Sequence, residues 1–210
     1  MSFLVFEGID GSGKSTLIKA LREELQKRSL PATFTKEPGG TFLGEKIRAL
    51  LIEKTKSPPQ PETEILLYYA DRQQHLLELV KPALKKGQLL ISDRYWASTF
   101  AYQCGGRKMK ESFVSNIHDA VYDASLDPDL WVLLDIPVEV SFKRLRDKQG
   151  DLDRFETETK DFYQRIRDYY LKLAQNSKSW LVLDGTQTTQ KLLDQLLSFL
   201  EKKNLLEGAS

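Results

Sequence analysis

Gly8-Ile9-Asp10-Gly11-Ser12-Gly13-Lys14-Ser15 is a glycine-rich turn that closes on Lys-Ser, and its flanks decide the fold. Before it, Phe3 to Phe6 is a short apolar strand. After it, Lys14 to Arg28 repeats apolar residues at Leu17, Ile18, Leu21 and Leu25, the spacing of a helix. A turn in that position aims several backbone N–H groups inward at the positive end of a helix, where they converge on one anion. Lys14 reaches the outer phosphates of such a ligand, and the Ser15 hydroxyl can ligate Mg²⁺. Gly8 to Thr16 therefore reads as a phosphate-binding loop for a nucleoside triphosphate.

Working outward, Ala32 to Lys36 is a second strand, ended by the turn Glu37-Pro38-Gly39-Gly40. Thr41 is placed to cap a helix running to about Ile52. Ser57 to Pro61, with three prolines, is a stiff connector, and Glu62 to Lys86 reads as a long helical stretch kinked by Pro82 near its end. Leu89 to Asp93, Leu130 to Asp135 and Trp180 to Leu183 are further apolar runs, and Pro137 suits a helix start. Continuously apolar strands separated by helices predict an α/β fold: an open, parallel, five-stranded sheet with helices on both faces.

The 210 residues carry a formal net charge of +1, one cysteine and an ordinary apolar fraction, which fits one soluble domain over 1–210. That balance gives no case for a nucleic-acid or membrane surface. Cys104 alone cannot form an internal disulfide, and with no signal segment or spanning run the expected address is the cytoplasm. His75 and His118 are too far apart to suggest a metal site, and each reads as a helix-surface or partly buried polar residue.

In an open α/β sheet, ligands collect beyond the carboxyl ends of the strands. There Asp93 can hold Mg²⁺ beside Ser15 or simply cap a helix, while Arg94 suits a second phosphate group through paired donors. Arg144 to Glu156 alternates charge signs around Gly150. It reads either as a flap that closes arginines over a triphosphate or as a solvated helix end, and its position after the fourth strand favours the flap. Tyr68 and Arg72 lie one helical turn apart, as a base clamp needs, although an aromatic packed in core beside a surface arginine has the same spacing.

Asp93 to Gln103, read as DRYWASTFAYQ, resembles the signature segment of thymidylate kinases, which phosphorylate dTMP to dTDP with ATP. Three other stretches agree in order and spacing: Gly8 to Thr16, Glu37 to Thr41 with Glu45 to Arg48 after it, and Leu66 to Arg72; Leu133 to Pro137 and Asp153 to Glu156 extend the likeness over nearly the whole chain. The resemblance implies a P-loop NTPase of the nucleoside monophosphate kinase kind with a short lid over about 144–157. It implies Lys14, Asp10, Arg94 and Arg146 as catalytic residues, with ATP held by Gly8 to Thr16 and Arg144. It implies that Arg48 and Arg94 grip the dTMP phosphate, Tyr68 stacks on thymine and Arg72 bonds its carbonyl. Ser98 or Thr99 then lies near the ring nitrogen, Tyr102 crowds the sugar 2′ position, and Gln103 lies beside the nucleotide.

Ser15 and Asp93 would serve Mg²⁺. Because Asp10 to Gly13 holds no arginine, the sequence resembles the bacterial form with basic residues in the lid, here Arg146, Lys148 and Arg154. The family's habit implies a homodimer. The rival reading is another nucleoside monophosphate or deoxynucleoside kinase.

Overall fold

Each apolar run becomes a strand in the computed structural model, which describes residues 2–147, 153–175 and 177–206. The strands are β1 (Ser2–Glu7), β2 (Ala32–Lys36), β3 (Leu89–Asp93), β4 (Leu130–Asp135) and β5 (Trp180–Asp184). They pair in the order β2-β3-β1-β4-β5, every pair parallel. The helices are α1 (Lys14–Lys27), α2 (Phe42–Ile52), α3 (Pro61–His75), α4 (Lys81–Lys85), α5 (Trp96–Thr99), α6 (Glu111–Val121), α7 (Val138–Asp147), α8 (Lys160–Gln175) and α9 (Thr189–Lys202).

Alternation along β1 explains why Phe3 to Phe6 are apolar without a break. Phe3 and Val5 pack on one face with Leu90, Trp131, Tyr163, Ile166 and Tyr170. Leu4 and Phe6 pack on the other with Leu17, Leu21 and Leu25 of α1 and Leu192 to Leu200 of α9. A central parallel strand covered on both faces has no side left for polar residues. Phe6 and Lys36 both register with Asp93, so β1, β3 and β2 end level and bring the phosphate loop, Glu37 and Asp93 to one edge.

Thr41 caps α2 as its sequence predicts, its side chain accepting from the Gly44 N–H at 2.9 Å. The long helical stretch expected over Glu62 to Lys86 is present, running from Pro61 to Lys85 with a π-helical turn at Leu76–Val80 between α3 and α4. Pro82 has no N–H for the preceding turn and its ring crowds the carbonyl four residues back, so the chain widens ahead of it. A second π-helical segment, Phe100–Gly106, continues α5 through the signature segment.

Candidate active site

The loop that follows β1 depends on glycine at its two ends. Gly8 has φ +138°, and a Cβ there would lie 2.6 Å from the Leu134 carbonyl oxygen. Gly13, at φ +100°, is the left-handed residue from which α1 starts. The loop is fastened from α7: the Ser141 hydroxyl donates to the Asp10 carbonyl (2.7 Å), and Arg144 donates to the carbonyls of Gly11, Ser12 and Gly185. The Ser12 amide donates to the Ile9 carbonyl at 3.2 Å, and pinning the loop's other carbonyls outward suits its remaining amides to an anion.

Inside the loop, Lys14 Nζ donates to the carbonyls of Gly8 (2.8 Å) and Ile9 (3.2 Å). Burial, with the Arg94 charge, lowers its pKa to about 8 against the pull of Asp93, Asp10 and Glu7. Ser15 Oγ donates to Asp93 Oδ2 at 3.3 Å, and Asp93 Oδ1 is buried with no partner among the described residues. A hydroxyl and an under-used carboxylate beside a phosphate loop suit Mg²⁺, which is held by few protein ligands and the substrate's own phosphates. Consistent with that economy, the described residues contain no group of three His, Cys, Asp or Glu able to hold a metal alone.

Arg94 is the centre of the site. Its φ of +73° is left-handed, a cost of roughly 1 kcal/mol for a residue with a side chain, and it persists because its surroundings over-determine it. The guanidinium donates to Asp10 (2.6 Å), Tyr102 (3.0 Å), Ser98 (2.9 Å) and Tyr170 (3.1 Å). Burial would raise the Asp10 carboxyl, but Arg94, Lys14 and the hydroxyls of Tyr102 and Tyr163 hold it below its usual range. Beneath Arg94, Glu7 accepts from the Tyr95 and Ser98 N–H groups and from the hydroxyls of Ser98 and Tyr170. Its burial outweighs these bonds and the Arg94 charge and raises its pKa.

A second cavity opens on the other side of Arg94. Tyr68, Arg72, Ser98, Thr99 and Tyr102 line it, with Phe155 from the end of the expected lid segment. Arg72 donates through Nε to Glu37 (2.9 Å) and through Nη2 to Thr99 (3.1 Å). Arg48, which donates to the Pro38 carbonyl (3.1 Å), lies on both cavities, as do Asp10, Glu37, Arg94 and Asp153. Two pockets thus meet at a pair of arginines.

Other expected site residues sit further out. Gln103 is wholly buried, donates to Glu64 (2.5 Å) and does not line either cavity. Arg144 and Arg146 belong to the last turn of α7, so the expected flap begins as helix; Arg144 lines the phosphate cavity, while Arg146 is exposed and away from its wall. Arg154 donates to Glu64 (2.6 Å) and the Leu51 carbonyl (3.1 Å), tying the end of the expected lid segment to α2 and α3. Lys148 lies outside the described residues, as does all of 148–152.

Several residues in the site went unsignalled. His75 is not a surface histidine: it is wholly buried, bonded to Glu37 and Thr35. Glu7 closes an apolar strand, and Tyr163 and Tyr170 lie seven apart on one face of α8, patterns that hint at burial but name no partner.

Comparisons with known proteins agree with this geometry. A sequence model of the thymidylate kinase family matches residues 6–196. The chain is 41% identical to a thymidylate kinase of Bdellovibrio bacteriovorus, covering 98% of each, and 43% identical to one of Carboxydothermus hydrogenoformans, covering 96% of this chain and 98% of the relative. It is similar to the crystal structure of thymidylate kinase from Ehrlichia chaffeensis, with a TM-score of 0.74 and 28% identity over 95% of this chain and 98% of that one. Likeness that runs from β1 into α9, over nearly the whole length of both partners, makes this chain a member of the thymidylate kinase family.

Proposed function

We propose that this protein transfers the γ-phosphoryl group of ATP to dTMP, giving dTDP and ADP. The observation that carries the reading is the junction of two cavities at Arg48 and Arg94, one cavity floored by a phosphate loop and the other walled by Tyr68 and Arg72. A hydrolase has no use for two arginines and a base-sized pocket on the far side of the γ-phosphate.

In this reading Gly8 to Thr16, with Lys14, holds the triphosphate, and Arg144 fixes the loop's shape from behind. Arg48 and Arg94 hold the acceptor phosphate, one oxygen of which attacks the γ-phosphorus in line as the bond to the β-phosphate oxygen breaks. The acceptor phosphate has a second pKa of about 6, so it arrives as a dianion and needs no strong general base. Catalysis is then positioning and charge neutralisation. Asp10 keeps Arg94 oriented; Ser15 and Asp93 would hold Mg²⁺, which supplies charge neutralisation at the phosphates. Arg146, Lys148 and Arg154 remain the lid's basic residues, with 144–157 as the lid of a single kinase domain over 1–210. In the base pocket Tyr68 stacks on thymine, Arg72 meets its carbonyl, Ser98 or Thr99 its ring nitrogen, and Tyr102 faces the sugar, with Gln103 packed behind.

The reading extends to a cytoplasmic homodimer. Leu43 and Leu50 on α2 and Leu66 on α3 are 46%, 54% and 57% exposed, apolar surface that a second copy could cover. Among the described residues no helix is long and apolar enough to cross a membrane. A panel of dTMP, dUMP, UMP, CMP and thymidine at constant Mg-ATP tests the activity. Preference for dTMP is expected, and preference for thymidine or CMP would overturn the assignment.

A further inference from the structure

Glu7 ends β1 wholly buried, and it lines neither cavity. A valine there would complete the apolar strand with no charge to bury, so the carboxylate calls for an explanation. Its two oxygens divide their work. Oε1 accepts from the backbone N–H groups of Tyr95 (3.0 Å) and Ser98 (3.2 Å) at the start of α5, where the N-cap residue Tyr95 makes no side-chain cap of its own. Oε2 accepts from the hydroxyls of Ser98 (2.6 Å) and Tyr170 (2.9 Å).

Both sets of bonds lead to Arg94. Tyr95 follows it in the chain, so Oε1 holds the backbone beside this left-handed residue, whose N–H donates to the Phe6 carbonyl (2.9 Å) and whose carbonyl accepts from the Ser92 hydroxyl (2.7 Å). At the guanidinium end, each hydroxyl has a single hydrogen. With both hydrogens directed at Oε2, lone pairs of Ser98 and Tyr170 are left to accept from Arg94 Nη1, at 2.9 and 3.1 Å. Nη2 donates instead to Asp10 (2.6 Å) and Tyr102 (3.0 Å), both of which line the base cavity. One nitrogen is therefore tied to the core, and the other to residues of a cavity wall.

We propose that Glu7 is a positioning residue for the acceptor phosphate: by drawing the hydroxyl hydrogens of Ser98 and Tyr170 to itself, it turns their lone pairs to Arg94 Nη1 and fixes the guanidinium that meets the phosphate. A glutamine cannot do this. Its carbonyl oxygen is needed by the two backbone N–H groups, so its NH2 faces the two hydroxyls. One hydroxyl hydrogen can then pass between Ser98 and Tyr170, whose oxygens are 2.7 Å apart, but the other loses its acceptor and the hold on Arg94 loosens. The proposal rests on the reading of Arg94 as the phosphate grip, and its test separates the two.

The experiment is titration calorimetry of the full chain with dTMP, with thymidine, which has the same base and sugar but no phosphate, and with Mg-ATP. The variants are Glu7→Gln, Tyr170→Phe, Arg94→Lys and the Glu7→Gln/Arg94→Lys double. Glu7→Gln should weaken dTMP about tenfold and leave thymidine and Mg-ATP within about twofold, because of the three only dTMP places its phosphate on Arg94 in this reading. Tyr170→Phe removes one of the two hydroxyls from a residue that lines neither cavity; it should weaken dTMP about threefold with thymidine unchanged. In the Arg94→Lys background Glu7→Gln should add nothing, because it acts through the residue already replaced.

Unchanged dTMP affinity in Glu7→Gln, an equal loss for thymidine, a loss shared by Mg-ATP, or losses that multiply in the double variant would each overturn the proposal. If Arg94→Lys leaves the preference for dTMP over thymidine unchanged, the phosphate-grip reading fails and takes the proposal with it. If Arg94→Lys lowers that preference and Glu7→Gln does not, the grip stands and the proposal alone fails. Should Glu7→Gln not fold, Tyr170→Phe decides, and no change in its dTMP affinity overturns the proposal.

Discussion

The phosphate loop and the base pocket share Asp10 and Arg94, but each handles its buried cation differently. Lys14 donates only to backbone carbonyls, with no carboxylate in hydrogen-bond contact, and its pKa has dropped to about 8. Arg72 is also buried but bonds Glu37, and the Glu37 charge together with those of Tyr69, Tyr95 and Asp71 outweighs the burial and raises its pKa. The first cation is left under-neutralised, as suits a ligand that brings negative charge. The second is neutralised in advance and retains one N–H, as suits a neutral base. A nucleotide has both ends, and the two halves of the site are prepared accordingly.

The largest effect expected from that contrast is at Lys14. Lys14→Ala should lower kcat by about a thousandfold, since the loop lysine opposes charge developing on the transferred group. The fold should survive, because Ser141 and Arg144 hold the loop without Lys14. Turnover assays paired with thermal melts monitored by circular dichroism check both halves. Near-wild-type turnover would break the comparison at its phosphate end.

Beside the base pocket the contrast can be sharpened through Asp71, which accepts from the Gly39 N–H at 3.0 Å and whose other oxygen has no partner among the described residues. Burial, then the Glu37 charge, raises its pKa to about 7. The folded state therefore keeps a proton that the unfolded chain gives up near pH 4, and the stabilisation present below that pH is lost as pH rises through 7. Asp71→Asn keeps the acceptor and carries no charge. Its stability advantage over wild type should grow between pH 4 and 7 to about 2–4 kcal/mol and then stay level. Urea unfolding at pH 5 and pH 8 measures it; a difference that does not change with pH would mean that the pocket's acids are already balanced.

What the sequence made legible follows the same division. The phosphate loop is eight consecutive residues between a strand and a helix, and in the proposed reading its backbone does the binding, so reading it needs no tertiary information. The central strands β3, β1 and β4 are likewise nearly continuous apolar runs, because both of their faces are covered, whereas the edge strand β2 mixes threonines and a lysine with Phe34 and is only half-buried. The base pocket is assembled from Glu37, α3, α5 and Phe155, and its decisive contacts join residues far apart in the chain, such as Glu37 to Arg72 and Arg154 to Glu64. No spacing rule says that Glu7, Glu37 and Glu64 are all at most 3% exposed, or that His75 is core. Arg144 is a related case: its stretch has the composition of solvated surface, and only the fold shows it turned onto the loop's carbonyls.

The smallest predicted effect is the most direct reading of the contrast, because it involves no mutation of the base pocket. At pH 8 the free protein carries Lys14 near half-protonation, and a bound triphosphate should restore its full charge by opposing the burial that lowers its pKa. ATP binding at pH 8 should then take up about half a proton, seen as a buffer-dependent heat when calorimetry is repeated in phosphate and in Tris. At pH 6.5 Lys14 is already charged and the uptake should vanish. Lys14→Met should abolish the uptake at pH 8. Arg72 is a guanidinium that stays protonated throughout, so dTMP binding at pH 8 should show no uptake from that end of the site. Equal heats for ATP in the two buffers would mean that the loop lysine is neutralised before its ligand arrives, and the asymmetry between the two buried cations would be gone.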